Sequence, residues 1–322
     1  MAVTANGNVD PKVAGRVRFC RMAPIINRAA VVLLACTCLA FANAFGQDIV
    51  LGVLEDNPGR YYGDPNFRTV RVVFKKHGAN WRPFRSDCPD QSCLKTVISE
   101  YPRKVDWTVA FDGKRIGRVT GRTPQNLGWY ASVGQQEITS TGPIPTVGQK
   151  LTDVEGGPVY RPLVAISQPY FRDPESWKPA VLRPEISKIL RQQFRHKFPK
   201  LCRTSGQDET KLEPFPYRDE DLQTVEVYAS KKGWRVAQIH LDDAIDCHDL
   251  EAGFEIDDPW FVVNPNKSVE YLDSGLRLVD AGDYDNDGKS ELLFSISRDN
   301  RGGYELFYDD FKKHVVFEFS YH

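Results

Sequence analysis

The sequence lacks the short motifs that mark common enzyme active sites. Its 322 residues contain no Gly-x-Ser-x-Gly elbow, no phosphate loop, no Gly-x-Gly-x-x-Gly fingerprint and no His-Glu-x-x-His zinc helix. It has only six histidines, one of them the final residue, so few bases are present for a Ser–His arrangement. These absences give no support to nucleotide-dependent chemistry or to the familiar hydrolase mechanisms.

The chain also has no large excess of charge of one sign and no long apolar run. The formal net charge is −1, and residues 1–44 carry five basic residues against one acid, so the remainder is mildly acidic. A mildly acidic body offers no basic footprint, and we therefore expect no nucleic-acid partner. The apolar run at 29–42 has 14 residues, whereas a helix needs about 20 to cross a bilayer. We expect no membrane span once this segment is removed.

The N-terminal segment has the pattern of a secretory signal. Arginines precede the apolar run, and Ala42-Asn43-Ala44 offers the small–x–small pattern of a cleavage site. The sequence therefore predicts a signal peptide at 1–44 and a secreted or periplasmic protein. Three alternatives stay open: an uncleaved anchor, a lipoprotein box ending at Cys36, and a start at Met22.

The cysteines agree with export. Three of the seven lie within residues 1–44, which leaves an even number in the remainder of the chain. The remaining four are Cys88, Cys93, Cys202 and Cys247. An even count in an exported protein indicates disulfides, with three possible connectivities. The short spacing favours a local bridge between Cys88 and Cys93, which leaves Cys202 and Cys247 to form the long one. The chain has no Cys-x-x-Cys pair in this set, which argues against the alternative of a four-thiolate zinc site.

Most of the chain after residue 47 has the pattern of short strands joined by tight turns. In 68–75, Val70, Val72 and Phe74 lie on one face and Arg71 and Lys75 on the other, which is typical of a strand with one solvent face. Asp112-Gly113 follows another apolar segment and is a dipeptide that tight hairpins favour. The sequence therefore predicts a mainly β fold of antiparallel hairpins, with a propeller-like, sandwich or barrel architecture.

One helical insertion interrupts the strands. Residues 184–198 place apolar side chains on one stripe, with proline at the start and a further proline directly after the end. A shorter helix is expected at 90–100. We divide the chain into the signal peptide, a β-rich N-terminal region at 45–150, and a region at 151–322 that contains the helix and a C-terminal β region.

The segment at 283–291 has the spacing of a calcium loop. It reads Asp-Tyr-Asp-Asn-Asp-Gly-Lys-Ser-Glu, with apolar strands on both sides. Calcium takes six to eight oxygen ligands, and alternating carboxylates can converge on one ion while a backbone carbonyl adds another. The predicted ligands are Asp283, Asp285, Asp287 and Glu291 through their side chains and Lys289 through its carbonyl. The acid at the ninth position comes too early for an EF-hand, whose glutamate stands at position 12.

This loop and its flanking strands, at 279–296, resemble the calcium hairpin of FG-GAP and VCBS repeats. Those repeats form the blades of β-propellers such as the head of integrin α-chains. The resemblance implies the same five ligands and calcium as the bound ion. The sequence departs from the family in having one copy, and in placing Glu291 where the family more often has aspartate.

A polar run and two pairs of acidic residues are further candidate sites. His240 begins a polar run at 240–249 that could hold zinc or manganese, but a solvated loop fits it better. The pairs at 257–258 and 309–310 could serve glycoside hydrolysis, which needs two facing carboxylates roughly 5–10 Å apart. Neighbours on a strand point to opposite faces, so the pairs do not supply this geometry by themselves.

The sequence thus predicts an exported, calcium-stabilised, β-rich binding or structural module with an unknown protein or glycan ligand. A secreted hydrolase that acts on carbohydrate through a carboxylate pair is the alternative. A third possibility is a subunit of a surface assembly, if the strands near the C-terminus present an unpaired edge.

Export can be tested on protein from the native host. We expect mass spectrometry to find a mature N-terminus near Phe45, because signal peptidase cleaves after small–x–small sequences. Recovery of soluble protein that retains residues 22–44 would contradict the prediction.

Overall fold

A computed structural model describes most of the chain after residue 47. The described residues are 48–56, 68–86, 91–122, 133–147, 150–152, 158–205, 208–247, 258–298 and 300–320. They belong to one compact unit, Asp48–His322. The predicted signal peptide and Cys88 lie outside the described residues. Within the described part no helix is both long and apolar enough to cross a membrane.

The prediction of a mainly β fold with few helices is confirmed, since 50% of the structure is strand and 10% is helix. The helices are α1 (Gln91–Glu100) and α2 (Pro184–Lys197). The strands of the first half, in chain order, are β1 (Val50–Asp56), β2 (Arg68–His77), β3 (Asn80–Pro83), β4 (Val105–Phe111), β5 (Lys114–Gly121), β6 (Gln135–Thr139), β7 (Lys150–Thr152), β8 (Pro158–Tyr160), β9 (Leu163–Ile166) and β10 (Lys178–Pro179). Those of the second half are β11 (Leu201–Ser205), β12 (Asp208–Pro214), β13 (Gln223–Ala229), β14 (Arg235–His240), β15 (Ile245–Asp246), β16 (Trp260–Val263), β17 (Val269–Tyr271), β18 (Leu276–Gly282), β19 (Glu291–Arg298), β20 (Arg301–Tyr308) and β21 (Lys313–Ser320).

The first sheet closes on itself. Its order is β1-β9-β4-β5-β6-β2-β3, and β1 also pairs with β2, so six strands form a ring that we call the closed sheet. Every paired strand in it is antiparallel. The β4–β5 hairpin turns at Asp112 and Gly113, whose φ angles of 50° and 67° are those that a two-residue hairpin loop requires. Strand β9 comes from beyond position 150 yet lies between β1 and β4.

The packing of Trp107 inside the closed sheet requires small residues beside its ring. Trp107 is fully buried and donates its indole N–H to Gln136 Oε1 at 3.2 Å. A methyl group at Gly52 would lie 3.2 Å from the Trp107 ring, and one at Gly121 would lie 2.7 Å from its indole nitrogen. Real Cβ atoms essentially never come within 3.0 Å of another heavy atom, as the methyl group at Gly121 would, and at Gly52 the methyl group would also lie 2.9 Å from the Arg71 carbonyl oxygen, so both positions favour glycine.

The remaining strands form smaller antiparallel sheets. The order is β10-β13-β14-β16-β17 in a five-stranded sheet and β18-β19-β20-β21 in a four-stranded sheet. A three-stranded sheet has the order β12-β11-β15, and β7 pairs with β8. These sheets differ in size and order, so the described part of the chain does not repeat one four-stranded unit as a propeller does. Strand β21 is the last of its sheet, and within the described residues no strand pairs with its outer edge.

The elements stack in four layers. The four-stranded sheet packs one face on the closed sheet through side chains such as Val279, Leu293 and Leu306. Its other face packs on the five-stranded sheet, where Phe294 meets Trp260 with ring centroids 5.2 Å apart. Helix α2 covers the far face of the five-stranded sheet through Leu190 and Phe194 together with Ala237 and Phe261. The four-stranded sheet is therefore an internal layer.

Both predicted helices are present, and one predicted disulfide is confirmed. Helix α2 begins with a proline at its first position and buries Ile186, Leu190 and Phe194. Cys202 on β11 is bonded to Cys247, with their Cα atoms 5.2 Å apart. Cys93, on α1, is also disulfide-bonded.

The crowding at Gly52 gives a stability prediction. In Gly52→Ala the added methyl group meets Val70 Cγ1 at 2.7 Å and the Arg71 carbonyl at 2.9 Å, neither of which can move freely within the sheet. We expect the free energy of unfolding, measured with urea, to fall by about 1–3 kcal/mol. Gly142→Ala is the control, since nothing lies within 4 Å of its Cβ position; it should change stability by less than about 0.5 kcal/mol. Equal effects of the two substitutions would contradict this account of the closed sheet.

Candidate metal centre

The predicted calcium segment is the loop between two strands of the internal layer. Strand β18 ends at Gly282 and β19 begins at Glu291, and these two residues pair across the hairpin. Between them the chain turns sharply at Asn286 and Gly288, with φ angles of 60° and 87°. Glycine and asparagine adopt these left-handed angles at little cost, which explains their place in the turn. We call residues 283–290 the acidic loop.

Three carboxylates converge in the acidic loop. One oxygen each from Asp283, Asp285 and Asp287 lies within 4.8 Å of the others, and within the described residues this is the one such group of three or more potential ligands. Asp283 is fully buried, and its Oδ1 atom has no hydrogen-bond partner. A buried carboxylate oxygen without a partner carries a desolvation cost that a cation would offset. The donor set is all oxygen, which suits a hard cation such as calcium.

The other two predicted ligands are adjacent to this group but held by different contacts. Glu291 is buried, and its Oε2 accepts the backbone N–H of Tyr284 at 2.7 Å. Burial raises its pKa well above the usual value, and the charge of Asp285 adds to the effect. Lys289 donates its backbone N–H to Asp287 Oδ1 at 2.8 Å. Its ammonium group donates to Asp309 at 3.0 Å and to Asp310 at 2.7 Å.

The loop's own backbone and a neighbouring arginine also contact the carboxylates. Asp283 Oδ2 accepts the Gly288 N–H at 3.1 Å and faces the Arg172 guanidinium at 3.4 Å. Burial raises the pKa of Asp283, the Gly288 hydrogen bond opposes this, and the neighbouring charges of Asp285 and Asp287 raise it further. The arrangement thus holds three acids close together at a cost in electrostatic repulsion.

A segment that is distant in sequence braces the acidic loop. Residues 167–177, here called the bracing segment, follow β9 and run beside the loop. The Asp283 N–H donates to the Arg172 carbonyl at 2.9 Å. Ser290 Oγ donates to Asp173 Oδ1 at 2.6 Å, and Asn286 is hydrogen-bonded to Gln168. Sequence reasoning did not find this segment; its one signal is the Asp-Pro dipeptide at 173–174, which favours a turn.

An aromatic side chain anchors the loop in the core. Tyr284 is fully buried and stacks on Phe171 with ring centroids 5.8 Å apart. Its hydroxyl group has no hydrogen-bond partner. The loop therefore does not project freely into solvent, since its second residue belongs to the contact between the closed sheet and the internal layer.

Asp280 is a buried acid at the base of the hairpin. Its Oδ1 accepts the backbone N–H of Asp112 at 3.2 Å and that of Ala281 at 2.9 Å, while its Oδ2 has no partner. It therefore links the β4–β5 turn of the closed sheet to the internal layer. Burial raises its pKa to about 7, against which the two backbone hydrogen bonds act.

The other candidate groups do not form a comparable site. His240 contacts Asp258 at 2.6 Å and Asp242 at 2.7 Å, both at an exposed strand end. Cys247 is engaged in its disulfide, and 248–257 lies outside the described residues. Of the two acid pairs considered for glycoside chemistry, 309–310 binds Lys289, and Asp258 of the other binds His240. No contact in the described residues favours the hydrolase alternative.

Comparison with protein-family models, with curated proteins and with solved structures found no match to this chain.

The raised pKa of Asp280 predicts a pH-dependent stability. Between about pH 4 and pH 7 the folded protein keeps a proton on Asp280 that the unfolded chain has released, so this group destabilises the fold as the pH rises. Asp280→Asn keeps the shape and has no charge. We expect its free energy of unfolding, measured with urea and chelator, to rise relative to wild type by up to about 1.4 kcal/mol per pH unit across this window. Parallel pH curves for the two proteins would refute the assignment.

Proposed function

We propose that the protein is an exported, β-rich binding or structural module whose C-terminal hairpin binds calcium. The observation that carries the proposal is the convergence of Asp283, Asp285 and Asp287 around an unpartnered, buried carboxylate oxygen. The signal-like N-terminus and the disulfide of Cys202 with Cys247 support export, since such bonds persist in oxidising compartments. The FG-GAP and VCBS resemblance supports calcium as the ion.

The position of the loop favours a structural role for the ion. The carboxylates lie where the hairpin, strand β2 and the bracing segment meet, through Lys76 and Arg172. A divalent cation there would replace the repulsion among the acids by attraction and so order the hairpin at the point where these parts meet. Glu291 and the Lys289 carbonyl would complete an all-oxygen ligand set, as the resemblance implies.

We infer that the module binds a protein or a glycan through an exposed aromatic side chain beside the loop. The described surface carries three largely exposed apolar side chains, Tyr170, Val181 and Val225. Tyr170 is 77% exposed and lies in the bracing segment beside the acidic loop. An exposed aromatic side chain at an ordered loop is typical of contacts to proteins and sugars. Calcium would then act by ordering the surface that carries it.

Calcium should raise the melting temperature of the purified protein. At about 1 mM calcium and a dissociation constant of about 0.1 mM, typical of extracellular sites, the gain is RT ln 11, about 1.4 kcal/mol. This corresponds to a rise of a few degrees, which chelator should reverse. Magnesium should have less effect because its tight octahedral geometry suits the loop less well.

Matched variants make the test specific. Asp285→Ala should abolish the shift because it removes a central carboxylate. Asp219→Ala is a suitable control, since Asp219 is exposed and pairs with Arg195 far along the chain from the loop. Asp309 is unsuitable as a control because it binds Lys289 of the loop. A wild-type melting curve that neither calcium nor chelator changes would refute the proposed site.

A further inference from the structure

A lysine of the closed sheet reaches into the acidic loop. Lys76, on β2, forms an ion pair with Asp285 Oδ2, although 209 positions separate the two residues in sequence. The side chain of Asp285 is 2% exposed and that of Lys76 is 14% exposed, so both charges are largely removed from water. An ion pair in such surroundings is screened less than one at the surface.

Two aromatic rings hold the lysine in this position. The Lys76 ammonium lies 5.3 Å from the centre of the Trp81 ring and 5.7 Å from that of Tyr308. Trp81 belongs to β3, which pairs with β2 beside the closed sheet, and Tyr308 belongs to β20 of the internal layer. Cations are attracted to the faces of aromatic rings at such distances. Strands β3 and β20 therefore hold the Lys76 ammonium in place against the acidic loop.

The other carboxylate oxygens of the acidic loop have weaker positively charged partners or none. Asp285 Oδ1 accepts the Asp287 backbone N–H at 3.1 Å, a contact that brings no net charge. Arg172 places a positive charge beside Asp283, but its side chain is 65% exposed, and its guanidinium lies 3.4 Å from Asp283 Oδ2. Lys76 is thus a largely buried cation that directly contacts one of the three converging carboxylates.

We propose that Lys76 is a built-in counter-ion of the acidic loop, which stabilises the metal-free hairpin and lowers its affinity for calcium. This inference rests on the proposed calcium site. In the metal-free protein, the ammonium offsets the repulsion among the three carboxylates. When a divalent cation binds, the same ammonium repels it. Repulsion between a single and a double charge about 6 Å apart corresponds to about tenfold in affinity even at the dielectric constant of water.

The proposal predicts two effects of opposite sign. Without the Lys76 charge, the metal-free protein loses its counter-ion and becomes less stable, while the calcium complex loses a repulsion and forms more tightly. A side chain that only fills space would behave differently, because its replacement lowers the stability of both states and does not tighten binding. The affinity for calcium therefore separates the two roles.

The test uses Lys76→Met, which keeps the length of the side chain and removes its charge. Calorimetric titration with calcium chloride should show a dissociation constant about tenfold lower than that of wild type. The melting temperature in chelator should fall by a few degrees, and the rise on adding calcium should exceed that of wild type. Lys76→Gln should repeat this pattern, and Lys76→Arg, which keeps the charge, should retain the wild-type affinity.

Lys75→Met is the matched control. It makes the same change in net charge at the adjacent position, where the Lys75 ammonium lies 5.1 Å from the Phe84 ring centre instead of in the loop. Its calcium affinity should stay within about twofold of wild type, because a charge that faces away from the site is screened by solvent.

The outcomes distinguish this inference from the proposed function. If wild type binds calcium and Lys76→Met binds it equally or more weakly, the role of Lys76 is overturned while the calcium site stands. Binding by Lys76→Met but not by wild type supports Lys76 as the group that opposes the ion. Absence of binding in both proteins overturns both proposals.

Discussion

The four-stranded sheet has no solvent face, because the closed sheet covers one side and the five-stranded sheet covers the other. Polar groups that enter such a layer must find partners or lose the free energy of their hydration. Glu55 shows one solution, in which Arg71, Gln135 and Tyr304 all donate to its carboxylate at 2.6–3.0 Å. The hydrogen bonds of these residues to Glu55 therefore join the closed sheet to the internal layer.

The acidic residues at the end of the same layer are less completely engaged. Asp280 and Asp283 each retain a buried oxygen without a partner, and Glu305 does so on β20. Such groups cost stability, and a protein retains them most readily where they serve binding or a switch. Asp280 and Asp283 lie at the hairpin where the closed sheet, the bracing segment and the internal layer meet, whereas Glu305 lies farther along the sheet, opposite Phe294. The candidate metal centre therefore belongs to the joint that holds the layers together.

Local sequence patterns predicted the elements well because their causes are local. The alternation of 68–75, the Asp-Gly turn at 112–113 and the apolar stripe of α2 each arise from neighbours in sequence. The ligand spacing of the acidic loop is local too, and the structure brings three of its carboxylates together as that spacing implies.

Contacts between distant residues could not be predicted in this way. Strand β9 is an apolar run of four residues whose partners, β1 and β4, lie far away in sequence. Arg71 was assigned to a solvent face by its alternation, but this was wrong: it is 3% exposed, because the far side of β2 is covered and Glu55 supplies a partner. The pairing of Lys76 with Asp285 has no local signature at all.

The internal layer has a consequence for the order in which the protein can assemble. Its four strands begin at Leu276, whereas the two sheets that it separates are made from residues that are synthesised earlier. Until β18–β21 are present, one apolar face of the closed sheet and one of the five-stranded sheet remain uncovered. Covering these faces also requires pairings and contacts over long stretches of chain, which are slow to form. Before these strands join the fold, the chain has two exposed apolar surfaces, and such surfaces make a partly folded chain prone to aggregation.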